Sequence, residues 1–197
     1  MKGVSRIDDS PVARWWWSVD HTSLGVIAAL MMIGVVLLFA AGPGAATRLQ
    51  IDNSFHFPLR QIFFVAPALA VIVMTSALTP LQARRAGAVL FGLMVAALLA
   101  ALVLAPEING AKRWFTFGPF SFQPSEFLKP GFVMVAAWML AEGARNPRFP
   151  GAVIACGLFA LCAGLLALQP DYGQAGLLTM VFMAMYFVSG GGLLLLS

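Results

Sequence analysis

Charge is what this chain has least of: of its 197 residues, 10% are Asp, Glu, Lys or Arg, against 60% hydrophobic. Soluble domains average about 25% charged residues, so a water-exposed globule is excluded. Cysteine and histidine are scarcer still, with two of each. Cys156 and Cys162 fall in one apolar run at a spacing that turns them to different helix faces, so neither a disulfide nor a metal site is supported. His21 and His56 lie far apart without ligand spacing, which leaves His56 at most lining a loop. No segment matches a phosphate loop, a zincin helix or a nucleophile elbow.

Long apolar runs fill the space that charge leaves. A mean hydropathy of +0.88 and 19 glycines indicate an all-α, polytopic transmembrane helical bundle. Measured against the roughly 17 to 25 residues that cross a bilayer, six spans are predicted, at 24–41, 62–78, 86–105, 127–141, 152–168 and 175–188. Ala40, Ala41 and Gly42 resemble a signal cleavage site, but the tail before the first run carries Asp8, Asp9 and Asp20 and the run exceeds a signal core. It reads as an anchor that stays.

Short-loop charge sets the orientation. A cytoplasmic N-terminus puts Lys2, Arg6, Arg14, Arg84, Arg85, Arg145 and Arg148 inside, against Arg48, Arg60, Lys112 and Arg113 outside. Membrane topology then accounts for part of the net charge of +4, and nucleic acid is not an implied partner. Residues 1–22 become a cytoplasmic tail whose Trp15, Trp16 and Trp17 sit where indoles favour the membrane interface. Residues 106–123 and the turn at Asp171 face outward.

The outer stretch 109–129 gathers the unusual charges, Lys112, Arg113, Glu126 and Lys129. Near a membrane each needs a partner, a wet cavity or a ligand. The apolar part of the fourth span, 131–141, makes only about 16 Å of helix, too short for a core of about 30 Å. The helix must therefore begin earlier, with Pro124 at its first position and Glu126 facing the positive helix end. Glu126 and Lys129 are spaced to pair on one face. Pro130 cannot donate to the Glu126 carbonyl, which frees a polar backbone group beside both charges. Two readings stay open: a structural ion pair at an interfacial helix start, or a substrate-facing, cavity-lining site.

Gln169-Pro170-Asp171-Tyr172-Gly173 repeats the design of Gln123-Pro124-Ser125-Glu126 between the fifth and sixth spans. Here the simpler expectation is that Asp171 caps the sixth helix and Gly173 relieves the turn.

Asn109-Gly110-Ala111-Lys112-Arg113-Trp114, then Gln123-Pro124-Ser125-Glu126-Phe127-Leu128-Lys129, then Gln169-Pro170-Asp171-Tyr172-Gly173 together resemble the shape, elongation, division and sporulation family of bacterial membrane proteins. The resemblance runs from the tryptophans onward. The tail Arg14-Trp15-Trp16-Trp17-Ser18-Val19-Asp20 looks more like the family's proteobacterial division branch than its elongation branch.

That resemblance implies a peptidoglycan glycosyltransferase in the inner membrane, at the septum for a division protein. Its substrate is the lipid-linked disaccharide-pentapeptide, lipid II. Its partners are a class B penicillin-binding transpeptidase and other division proteins. A carboxylate base would activate the sugar hydroxyl, and cationic groups or a divalent cation would offset charge on the departing diphosphate. No cofactor is fixed by the motifs.

The substrate-binding or cavity network is expected among Lys112, Arg113, Trp114, Gln123, Ser125, Glu126, Lys129 and Asp171. The family's catalytic carboxylate lies between its seventh and eighth spans, so no residue here inherits that role. Residues 23–197 are thus expected to be the N-terminal portion of such a domain, inactive alone, ending at the entry to a seventh span. Two other functions fit the same residues: a lipid II flippase, and a non-catalytic scaffold for a transpeptidase.

Overall fold

The computed structural model describes residues 10–107, 110–118 and 120–190. The expectations resting on Lys2, Arg6, Asp8, Asp9, Asn109 and the start of a seventh span fall outside them. Among the described residues the fold is all-α apart from one small hairpin, and the chain divides into two compact units, Met1–Leu78 and Thr79–Ser197.

The first unit holds α1 (Pro11–Ser18), α2 (His21–Arg48) and α3 (His56–Ser76). Helix α1 starts where Ser10 accepts from the Ala13 N–H and Pro11 takes the first turn, a position that needs no amide donor. The Trp15 indole donates to Ser76 Oγ at 2.8 Å, tying α1 to the end of α3. Trp16 and Trp17 are exposed beside it. Helices α2 and α3 meet at Gly42, where a Cβ would stand 2.9 Å from the Pro58 ring.

The second unit holds α4 (Pro80–Leu104), β1 (Phe115–Phe117), β2 (Phe120–Phe122), α5 (Pro124–Arg145), α6 (Gly151–Leu168) and α7 (Tyr172–Val188). Helix α5 is central, packed against α4, α6 and α7. Glycine makes the close contacts possible: a Cβ on Gly131 would lie 2.8 Å from the Phe91 backbone nitrogen, and one on Gly87 would meet the Met134 side chain. Gly143 and Gly151 bring α5 and α6 together at the other end. Phe132 fills the middle, 6.4 Å from Phe91 and 6.0 Å from Phe182, and Phe182 stacks on Phe159 at 4.6 Å.

Among the described residues five helices are long and apolar enough to cross a membrane, and α7 is a shorter apolar helix of 17 residues. Each predicted span falls on one helix, except that 62–78 and 86–105 run past the ends of α3 at Ser76 and α4 at Leu104, and every helix is longer than its predicted run. Helix α4 begins at Pro80 rather than 86, because Thr79 and Gln82 form a reciprocal capping box. Helix α5 does start with Pro124 at its first turn and runs through Pro130 without ending. Cys156 is exposed and Cys162 buried, in keeping with their different faces.

Candidate functional site

Two polar clusters occupy the end of the second unit where α5 and α7 begin. The first joins the segment before the hairpin to the turn between α6 and α7. Arg113 donates from Nε to the Gln169 carbonyl at 2.9 Å and from a terminal nitrogen to the Pro170 carbonyl at 3.0 Å. Its other terminal nitrogen lies 3.6 Å from Asp171 Oδ1. Gln123 Nε2 donates to Asp171 Oδ2 at 3.1 Å, and Gln169 Nε2 donates to the Lys112 carbonyl at 3.1 Å.

Gln123, Gln169 and Asp171 are all buried. Breaking one side of such a network leaves unpaired polar groups away from water, so it acts as a lock between loop and turn. The expectation that Asp171 caps α7 is corrected here. Asp171 stands at the N-cap position, but its side chain caps nothing, because both oxygens are engaged by Gln123 and Arg113. Gly173 likewise lies in the first turn of α7 rather than in the preceding turn.

The hairpin is a feature the loop reading missed. Phe115 pairs with Phe122, Thr116 with Ser121 and Phe117 with Phe120, with Gly118 at φ +60° in the connection. Its signal was present in the alternation Phe-Thr-Phe and Phe-Ser-Phe on either side of a Gly-Pro turn. The short antiparallel pair leads straight into Gln123 and Pro124, and so helps fix where α5 begins. Trp114, just before it, is exposed.

The second cluster is a closed ring across α5 and α7. Lys129 Nζ donates to Glu126 Oε2 at 2.7 Å and to Gln174 Oε1 at 2.6 Å, while Gln174 Nε2 donates to Glu126 Oε1 at 2.6 Å. The Glu126 side chain is 46% exposed and that of Lys129 20% exposed, so the carboxylate is the more open member. Glu126 lies in the first turn of α5, where the helix end favours negative charge. Ser125 is buried, and its hydroxyl has no hydrogen-bond partner among the described residues.

Gln174 is the member that sequence reasoning missed. An uncharged residue on an apolar helix gives no local sign that α5 will bring two charges to it. Its spacing of four residues from Pro170 holds the only hint, since it places Gln174 on the first turn that follows the Gln-Pro-Asp motif.

The structure thus brings Arg113, Gln123 and Asp171 into the lock, with Lys112 joining through its backbone carbonyl alone, and Glu126 and Lys129 into the ring. Chemically the ring offers a carboxylate and an ammonium held side by side at an open edge. That pairing suits a ligand carrying both anionic and hydroxyl groups. Two cavities elsewhere are apolar: one of about 440 Å³ between the far ends of α5 and α7 is lined by Ala137, Leu140, Ala184 and Met185, and one of about 460 Å³ lies between α2 and α3.

Comparison with known proteins covers nearly the whole chain. Residues 21–197 match the family model FTSW_RODA_SPOVE, described as cell cycle protein. The chain is 38% identical over 186 residues to a protein of Caulobacter vibrioides named probable peptidoglycan glycosyltransferase FtsW, covering 94% of this chain and 48% of that one. A protein of the same name from Idiomarina loihiensis is 32% identical over 88% of this chain and 43% of its own length. The chain therefore spans about half the length of these relatives.

Among solved structures, the rod shape determining protein RodA of Thermus thermophilus is similar at 30% identity and a TM-score of 0.63, covering 81% of this chain and 52% of that one. A chain solved in a study of polymerization and crosslinking by a peptidoglycan synthase complex is similar at 30% identity and a TM-score of 0.61. It matches 80% of this chain and 47% of its own length.

Proposed function

Given that the chain belongs to the family of cell cycle proteins that includes FtsW, RodA and SpoVE, we propose that it forms the substrate-handling part of a division-type peptidoglycan glycosyltransferase. The observation that carries this reading is the Glu126–Lys129 pair near the start of α5, bonded to Gln174 at the start of α7, at an edge open to a polar ligand. In the charge-based topology this edge faces outward, where a lipid-linked disaccharide-pentapeptide is presented with its diphosphate at the membrane surface. Lys129 offsets negative charge developing on the departing diphosphate, and Glu126 fixes the ammonium while remaining accessible itself. Arg113, engaged by the α6–α7 turn, holds the loop rather than the substrate.

Polymerisation itself belongs, in this proposal, to the full-length protein working with a class B transpeptidase in the inner membrane at the septum. The curated relatives' shared name supports the activity, and a neighbour's place in a peptidoglycan synthase complex supports the partnership.

Purified full-length protein given lipid II and its transpeptidase is expected to form glycan, whereas residues 1–197 alone are expected to form none. Robust product from residues 1–197 would overturn the division of labour. Lipid translocation in liposomes without any glycan would favour a flippase. Transpeptidase binding with neither activity would favour a scaffold.

A further inference from the structure

We propose that Gln174 is the positioning residue of the Glu126–Lys129 pair, an inference that rests on the glycosyltransferase reading for its effect on rate but not for its geometry. The side-chain amide is bifunctional: its carbonyl accepts from Lys129 Nζ and its N–H donates to Glu126 Oε1, both at 2.6 Å. A neutral amide serves both charges at once. A carboxylate at the same place would repel Glu126, and an aliphatic side chain would serve neither.

The ring also links helices. Glu126 and Lys129 are one turn apart on α5, so their own pairing fixes nothing beyond that helix. Gln174 comes from α7 and is partly buried. It ties the pair to α7, whose preceding residue Asp171 is locked to Arg113 and Gln123. Two of the three Lys129 donors are used in the ring, and among the described residues the third has no acceptor. Gln174 thereby sets the direction in which the free N–H points, toward an anionic oxygen of the ligand.

The ionisable neighbours leave a readable signature. Of those on elements packed against α7, Glu126 and Lys129 bond to Gln174, Arg113 and Asp171 are paired with each other, and Glu142 and Arg145 lie at the opposite end of α5. Cys156 and Cys162 lie within α6, and Tyr172 and Tyr186 are on α7 itself. In a Gln174→Glu protein two carboxylates face one another around one ammonium, and the ring closes again only when they share a proton. Activity should then recover as pH falls.

The test uses full-length protein with its transpeptidase, selecting variants that keep the wild-type melting behaviour. Gln174→Leu is expected to lower kcat by roughly tenfold to a hundredfold, with Gln174→Glu regaining rate at acid pH while the leucine variant does not. Amine labelling of Lys129, read by mass spectrometry, is expected to be faster in Gln174→Leu than in wild type. Unchanged labelling together with an unchanged pH–rate profile in Gln174→Glu would overturn the proposal. If the wild-type protein forms no glycan, the glycosyltransferase reading fails, while the labelling comparison still decides whether Gln174 positions the pair.

Discussion

Asp20 and Asp171 both stand at helix N-caps, and their side chains do different work. Asp20 accepts from the Ser23 hydroxyl and from the Thr22 N–H at 2.9 Å, which hold its carboxyl below the usual carboxylate range. Because the folded carboxyl titrates lower than the unfolded one, the cap's contribution is present above the ordinary carboxylate pKa and is lost as pH falls through the lowered value. Protection of the Thr22 and Ser23 amides, taken relative to their intrinsic exchange rates at each pH, should therefore fall only in acid below the ordinary Asp value of about 3.9. Protection already lost near neutral pH would contradict the cap. Asp171 was equally easy to read as a cap, since its sequence setting is that of one. Its real partners, Gln123 and Arg113, are far away in the chain and come into reach only when the loop folds back over the turn. Residue-level legibility fails in the same way for Gln174, whose neutral side chain acquires its role from two charges on another helix.

At the scale of the element, α5 is the piece the rest is arranged around. Its start at Pro124 was legible, because the apolar run alone was too short to span and proline is welcome at a first helical turn. Its depth in the packing was less so. That depends on Gly131, whose missing Cβ lets the helix rest on the Phe91 backbone. Gly131→Val is expected to destabilise the second unit by about 1–3 kcal/mol through overpacking, measured by thermal unfolding in detergent. Gly92→Ala provides the comparison, since nothing lies within 4 Å of its added Cβ, and it should hold the melt or raise it slightly through better helix propensity. Equal effects from both substitutions would remove close helix approach as the cause. The hairpin 115–122 shows the converse limit: four phenylalanines in alternation were visible, but three-residue strands are too short to stand out in a chain this apolar.

For the molecule as a whole, composition determined the class and motif order indicated the family, because membrane helices must satisfy their backbone internally and so leave long apolar runs. The assembly of the site was the harder part. Its side chains come from the loop before the hairpin, from α5 and from α7, separated by up to about sixty positions in the chain. The two glutamine-proline motifs mark where those elements begin, which is why their resemblance to each other reflected a shared location.

The most direct measurement is glycan polymerisation from lipid II by the full-length protein carrying Glu126→Ala or Lys129→Ala, read alongside capture of its transpeptidase. Both variants are predicted to lose polymerisation while still binding the partner. Wild-type rates in both, or loss of partner capture with polymerisation intact, would contradict a substrate-handling role for the pair.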